Sequence, residues 1–121
     1  MKEVKLSLIQ LRSFETRWRS ERLVDDDLQR LESEIIDDPN VGKVMSGTGG
    51  LRKMRFAPPS RGRGKSGSFR VCYGYFPDHD RVYLVILFPK NEQANLTRTE
   101  RNSMKALMQR IADGLKRGEN P

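Results

Sequence analysis

Basic residues are concentrated in the middle of this chain. Between Asp38 and Asp78 there is no acidic residue and there are eight basic ones, whereas the rest of the chain has 15 basic and 16 acidic residues. The central segment therefore carries the whole excess of the net charge of +7. A one-sided positive field attracts polyanions, nucleic acid above all but also anionic membrane surfaces. A basic surface that serves solubility alone is the alternative. The basic residues of the segment are Lys43, Arg52, Lys53, Arg55, Arg61, Arg63, Lys65 and Arg70.

The residue types in this segment suit the cleavage of RNA without a metal. Arginine grips a phosphate with two hydrogen bonds, and tyrosines such as Tyr73 and Tyr75 can stack on unpaired bases. Attack by the 2′-hydroxyl requires removal of one proton, stabilisation of a dianionic transition state and protonation of the leaving 5′-oxygen. Clustered cations supply the second requirement, and crowding by like charges lowers the pKa of a lysine, which makes it a candidate general base. Binding without catalysis fits these residue types equally well.

Other common site chemistries lack the residues they need. The chain has one cysteine and one histidine, which excludes an internal disulfide and a cysteine-based metal cluster. His79 lies in the predicted turn PDHD, where we expect it to be solvated rather than catalytic. Three consecutive aspartates, residues 25–27, point in different directions on a predicted helix and are expected to stabilise its N-terminus. We therefore expect no metal and no cofactor.

The stretch RGRGKSG, residues 61–67, resembles the end of a nucleotide-binding P-loop. The motif G-x-x-x-x-G-K-[ST] needs a glycine at position 59 and a helix after the serine. Pro59 stands at that position and offers no N–H, and FRVCYGYF after the stretch predicts a strand. The stretch is therefore predicted to be a basic loop that brings Arg61, Arg63 and Lys65 to a polyanion.

Hydrophobic periodicity predicts the elements that would position these residues. Strands are predicted at 3–9, 51–56, 69–76 and 81–88, and helices at 10–22 and 24–38. A T-x-x-E capping box at Thr97 and Glu100 predicts the start of a third helix. The order β-α-α-β-β-β-α predicts a single α+β domain over residues 1–121, with a small, mostly antiparallel sheet, a helical hairpin and a C-terminal helix. The apolar run at 82–88 is too short to cross a membrane.

Alternation within the strand at 51–56 predicts two different faces. Leu51, Lys53 and Arg55 share one face, and Arg52, Met54 and Phe56 share the other. A basic sheet face that carries Lys53, Arg55 and the following strand's Arg70 is thus expected.

Three segments in a fixed order resemble a known family. They are GTGGLRKMRFA, GRGKSGSFRVCYGYF and YLVILFPKNEQANLTRTER. From about residue 23 to the last helix the chain resembles the HigB-type branch of the RelE-like toxins of bacterial type II toxin–antitoxin systems. The resemblance implies the same α+β fold and a ribosome-dependent endoribonuclease, or mRNA interferase, that enters the ribosomal A site, cleaves translated mRNA and inhibits translation in the bacterial cytoplasm. It also implies a cognate helix-turn-helix antitoxin as partner.

The resemblance further implies roles for individual residues. Lys53 and Arg55 match a basic pair, and Arg70 matches the arginine that contacts the scissile phosphate. Lys90 and Asn91 match a second basic pair, in which Asn91 replaces a basic residue. The tyrosine that family members carry beyond this pair is missing. Tyr73 is therefore a candidate general acid, and the alternative is that Tyr73 packs in the core or stacks on a base. The expected catalytic residues are Lys53, Arg55, Arg70, Lys90 and Tyr73, and the expected RNA-binding residues are Arg52, Arg61, Arg63, Lys65 and Asn91.

Three alternatives remain open at this point. A ParE-like relative would share the fold but poison DNA gyrase and cut no RNA. A non-catalytic RNA-binding module would bind RNA in a salt-dependent manner and leave mRNA intact. An inactivated toxin retained for regulation would agree with the change at Asn91.

Overall fold

The computed structural model describes residues 5–61, 67–93 and 95–121. A five-stranded sheet, ordered β1-β5-β4-β3-β2, is combined with three helices. The elements are β1 (Ser7–Gln10), α1 (Arg12–Ser20), α2 (Asp25–Asp37), β2 (Lys43–Val44), β3 (Arg52–Phe56), β4 (Phe69–Phe76), β5 (Arg81–Pro89) and α3 (Arg98–Lys116), with 3₁₀ turns at Pro59–Arg61 and Pro77–His79. The predicted α+β fold is confirmed.

Two strand details differ from the prediction. The sequence analysis missed β2, a two-residue edge strand whose residues are both exposed, because so short an exposed segment has no apolar periodicity. The first strand is observed at Ser7–Gln10 rather than 3–9, and residues 1–4 lie outside the described residues. This strand pairs parallel with β5, while all other strand pairs are antiparallel.

Helices α1 and α2 cover one face of the sheet, which we call the hairpin face. Phe14 stacks on Trp18 with ring centroids 5.5 Å apart, and Trp18 stacks on Phe56 of β3 at 6.3 Å. Leu31 and Ile35 of α2 are fully buried in the same cluster. Side chains of β3 and β4 complete this core, namely Met54, Phe56, Phe69, Val71 and Tyr73.

The start of α2 is fixed by a buried carboxylate, as predicted. Asp27 accepts a hydrogen bond from the backbone N–H of Val24 at 3.0 Å. It also accepts from the backbone N–H and the hydroxyl of Ser60, at 2.9 and 2.6 Å. Although burial acts to raise the pKa of Asp27, these hydrogen bonds lower it below its ordinary value. Asp27 thus joins α2 to the turn that follows β3.

Helix α3 covers the opposite face, which we call the α3 face. Its start is the predicted capping box, because Thr97 Oγ1 accepts from the N–H of Glu100 at 3.1 Å and the Glu100 carboxylate accepts from the N–H of Thr97 at 2.8 Å. Met108 packs closely on Gly74 of β4, where an added Cβ would lie 2.7 Å from the Met108 sulfur. The core on this face includes Leu51, Cys72, Tyr83, Phe88, Ile111 and Leu115.

The three described helices differ in length and burial but share one property. None of the helices in the described parts of the chain is long and apolar enough to cross a bilayer.

Candidate nucleic-acid interface

Strands β3 and β4 bring three cations together on the α3 face. Lys53 and Arg55 alternate with the buried residues Met54 and Phe56, and they follow Leu51, which packs in the α3 core. Arg55 lies directly opposite Arg70 in the antiparallel register. Directly opposed residues have Cβ atoms about 4.5–5.5 Å apart on the same face. The predicted alternation within β3 is therefore confirmed, and Lys53, Arg55 and Arg70 form one cluster.

A fourth cation joins this cluster through the edge strand. Lys43 of β2 lies directly opposite Lys53. Together the four side chains line an open cleft of about 480 Å³, whose walls also include Glu34, Val41 and Met54. We call this the cationic cleft, defined by Lys43, Lys53, Arg55 and Arg70. Lys43 belongs to the basic segment but had no predicted role, since only the pairing of β2 with β3 places it here.

Two other titratable groups border the cationic cleft. Cys72 lies opposite Lys53, and burial raises the pKa of its thiol to about 12, although Lys53 acts to lower it. Burial likewise raises the pKa of Glu34, and the opposing effect comes from Arg30 of α2 rather than from a cleft cation. A thiol held neutral is a poor nucleophile. The positive charge of the cleft comes from its lysines and arginines, and Glu34 is the acidic residue in its lining.

The loop between β5 and α3 contacts Lys53 of the cationic cleft. The backbone N–H of Lys90 donates to the carbonyl of Ser68 at 3.1 Å, which continues the β4–β5 pairing beyond Arg70 and Phe88. Asn91 is exposed in this loop. The Nζ of Lys53 donates to Oδ1 of Asn95 at 3.0 Å. Asn95 was not among the predicted site residues, because an isolated asparagine in a polar loop carries no signal that could have identified it.

One comparison with known proteins decides the family. The model of the RelE toxin family, described as the RelE toxin of the RelE / RelB toxin–antitoxin system, matches residues 8–117 of the 121. The chain belongs to the RelE toxin family. Membership implies a toxin of a toxin–antitoxin system with an antitoxin as partner, and toxins of this family are typically ribonucleases that inhibit translation.

Tyr73 of this RelE-family toxin is separated from the cationic cleft by the sheet. Its ring is fully buried on the hairpin face. Its hydroxyl donates to the carbonyl of Pro39 at 2.8 Å and accepts from the N–H of Gly42 at 2.9 Å. Burial raises the pKa of this hydroxyl. The geometry argues against Tyr73 as the general acid and supports the core role that was its alternative.

Two of the expected RNA-binding arginines also lie away from the cleft of this RelE-family toxin. Arg52 belongs to the hairpin side of β3, and its guanidinium donates to the carbonyl of Gly42 at 2.7 Å. Arg61 lies over the ring of Phe69, 5.5 Å from its centroid, and pairs with the Glu21 carboxylate at 3.7 Å. Both side chains hold structural contacts on the hairpin side. Arg63 and Lys65 lie outside the described residues.

Proposed function

We propose that this RelE-family toxin is a ribosome-dependent endoribonuclease of the HigB-type branch. It cleaves translated mRNA in the bacterial cytoplasm by metal-independent attack of the 2′-hydroxyl and thereby inhibits translation. The observation that carries this proposal is the direct opposition of Arg55 and Arg70, with Lys53 two residues from Arg55 on the same face.

Each step of the proposed reaction is assigned to a cleft residue. Arg70 and Arg55 bind the scissile phosphate with paired N–H donors and stabilise the negative charge that develops in the transition state. Lys53 removes the proton of the 2′-hydroxyl, since it lies on the same face as Arg55 and Arg70, beside the phosphate that they bind. Lys90 comes two residues after Phe88, which lies opposite Arg70, and it is the remaining candidate to protonate the 5′-oxygen, because Tyr73 is enclosed on the other face. Lys43 and Asn91 anchor the RNA.

The shape of the cationic cleft supports dependence on the ribosome. The cleft is open, and its cations lie on the neighbouring strands β2, β3 and β4 rather than around a closed pocket. An open cationic surface attracts RNA but holds a flexible strand poorly in the geometry needed for in-line attack. The ribosomal A site, which presents mRNA in a fixed conformation, would supply this orientation.

The proposed partner is a helix-turn-helix antitoxin. Family membership supports an antitoxin in general, and the resemblance to the HigB-type branch supports this class of DNA-binding protein. A small helix-turn-helix protein encoded beside this one, which co-purifies with it and restores growth, would fit the proposal.

The decisive test is the mapping of mRNA ends after induced expression without antitoxin. The wild type should arrest growth and produce cuts within translated messages. Arg70→Ala should reduce cleavage by about 100-fold, because it removes a transition-state contact, and should remain folded and able to bind the antitoxin. Arg110→Ala, which removes an exposed arginine of α3, is the matched control and should behave as the wild type.

The other outcomes separate the alternatives. Full growth arrest by a stably expressed Arg70→Ala protein would contradict the assigned role of Arg70. A DNA-damage response without mRNA cuts would identify a gyrase poison of the ParE type. Salt-dependent RNA binding by a protein that leaves mRNA intact would identify a binding module or an inactivated toxin.

A further inference from the structure

The loop between β5 and α3 contacts three separate parts of the protein. At its start, the backbone of Lys90 pairs with Ser68 beside β4. In its middle, the Glu92 carboxylate pairs with the Arg17 guanidinium of α1. Near its end, Asn95 accepts a hydrogen bond from Lys53 of β3 at 3.0 Å. The loop thus connects α1 to Lys53, one of the residues that line the cationic cleft.

Asn95 is itself held in place by α3. Gln93 Nε2 donates to the backbone carbonyl of Asn95 at 3.0 Å and to the Glu100 carboxylate at 3.4 Å. Glu100 belongs to the capping box that fixes the start of the helix. A side-chain acceptor on a backbone restrained in this way can hold its donor at a defined position.

A second contact fixes the loop relative to β3. Arg101 of α3 donates to the carbonyl of Leu96 at 3.3 Å and to the carbonyl of Ser46 at 3.0 Å. Ser46 begins the glycine-rich turn that leads into β3. One guanidinium therefore joins the segment that carries Asn95 to the segment that leads to Lys53.

A lysine that removes a proton from RNA needs such restraint. Its side chain has several rotatable bonds, and holding it in one conformation costs conformational entropy. A neutral amide oxygen can accept one N–H of the amine and leave the nitrogen lone pair for the 2′-hydroxyl. It also adds no negative charge to a cleft that must receive phosphates, unlike a carboxylate in the same place.

We propose that Asn95 is a positioning residue that holds the Lys53 amine in the cationic cleft beside Arg55 and Arg70. The proposal rests on the ribonuclease function proposed above. Asn95 acts through Lys53 and not on the RNA, so its loss should slow the chemical step more than it weakens binding.

The first test is single-turnover cleavage of mRNA on purified ribosomal complexes, with the affinity of the toxin measured separately. Asn95→Ala should lower the rate at saturating toxin about tenfold and change the affinity less than about twofold. Asn95→Asp keeps the acceptor oxygen and should still hold the Lys53 side chain, but its negative charge should weaken RNA binding and should not restore a step that needs an uncharged amine. Asn102→Ala, an exposed asparagine of α3, should match the wild type in both measurements.

The second test does not depend on cleavage. Acylation of lysines in the free toxin, followed by mass spectrometry, should modify Lys53 faster in Asn95→Ala than in the wild type, with Lys43 as the internal reference. Unchanged labelling and an unchanged rate would overturn the proposal, as would a loss of affinity in Asn95→Ala that accounts for the whole loss of activity. If the wild type cleaves no mRNA, the ribonuclease function fails, and the labelling still decides whether Asn95 restrains Lys53.

Discussion

At the scale of single residues, the face of the sheet on which a cation lies decides its role. Cations on the hairpin face make structural contacts, and cations on the α3 face belong to the cleft. Arg52 and Lys53 are neighbours in sequence, yet Arg52 binds the carbonyl of Gly42 and Lys53 faces Asn95. Tyr73 and Arg70 are three positions apart on β4, and that odd spacing places them on opposite faces. Spacing alone could therefore have excluded Tyr73 and Arg52 from the site. Asn95 could not have been predicted, because its contact depends on how a loop returns to a strand 42 positions earlier.

Because the Tyr73 hydroxyl is buried away from the cleft, its removal should lower the stability of the protein without lowering its activity. Tyr73→Phe leaves the carbonyl of Pro39 and the N–H of Gly42 without their partner, which should lower the free energy of unfolding by about 1–3 kcal/mol. Cleavage per folded molecule should change little. Urea unfolding and single-turnover cleavage measure the two effects. Tyr75→Phe, at a half-buried tyrosine of the same strand, is the control and should alter neither. A large loss of rate at unchanged stability would restore Tyr73 as a catalytic acid.

At the scale of elements, periodicity was sufficient for the helices and the long strands. Alternation in β3 and the capping box of α3 were both predicted correctly. The edge strand β2 was missed because two exposed residues are too few to show an alternation of apolar and polar side chains. The parallel pairing of β1 with β5 joins distant parts of the chain, and a local sequence pattern cannot predict it. The omission mattered for the site, since β2 is the element that places Lys43 opposite Lys53.

The contact between α2 and the turn after β3 should make stability depend on pH. The pKa of Asp27 is lowered in the folded protein, so its contribution to stability is complete above the ordinary carboxyl pKa of about 3.9 and is lost as the pH falls through the lower folded value. Asp27→Asn should lower the free energy of unfolding by about 2 kcal/mol at pH 7. The difference from the wild type should shrink below about pH 4.

Denaturant unfolding from pH 3 to pH 7 measures this dependence. Asp26→Asn removes an exposed carboxylate from the same helical turn. It should cost only about 0.3–1 kcal/mol through the helix dipole. An equal difference between Asp27→Asn and the wild type at pH 3 and pH 7 would show that the hydrogen bonds of Asp27 do not depend on its charge.

At the scale of the whole molecule, opposite charges lie on different elements. Residues 25–38 carry seven acidic residues and one basic residue, and they include α2, which covers the hairpin face. The cations of the cleft lie on the α3 side of β3 and β4, although Glu34 of α2 also lines the cleft. This separation of charge gives the molecule an electric dipole, which orients it so that the cleft faces an approaching polyanion.

The salt dependence of RNA binding should report the contribution of Lys43. Each phosphate contact on single-stranded RNA contributes about 0.7 to the slope of log K against log salt concentration. Lys43→Ala should reduce the magnitude of the slope by about that amount. Lys116→Ala, an exposed lysine at the end of α3, should leave the slope unchanged. Fluorescence anisotropy with a short RNA over a salt series makes the measurement, and equal slopes for the two variants would remove Lys43 from the RNA-binding surface.

The pairing of the first strand with the last one has a consequence for the order of events during synthesis. Ser7 of β1 lies beside Arg81 of β5, and β5 stands between β1 and β4 in the sheet. Closing so long a segment of chain is slow compared with local folding, and it cannot occur before β5 has left the exit tunnel. The Asn95 side of the cleft is made later still. A nascent chain thus cannot complete the Asn95 side of the cleft before residue 95 has left the exit tunnel.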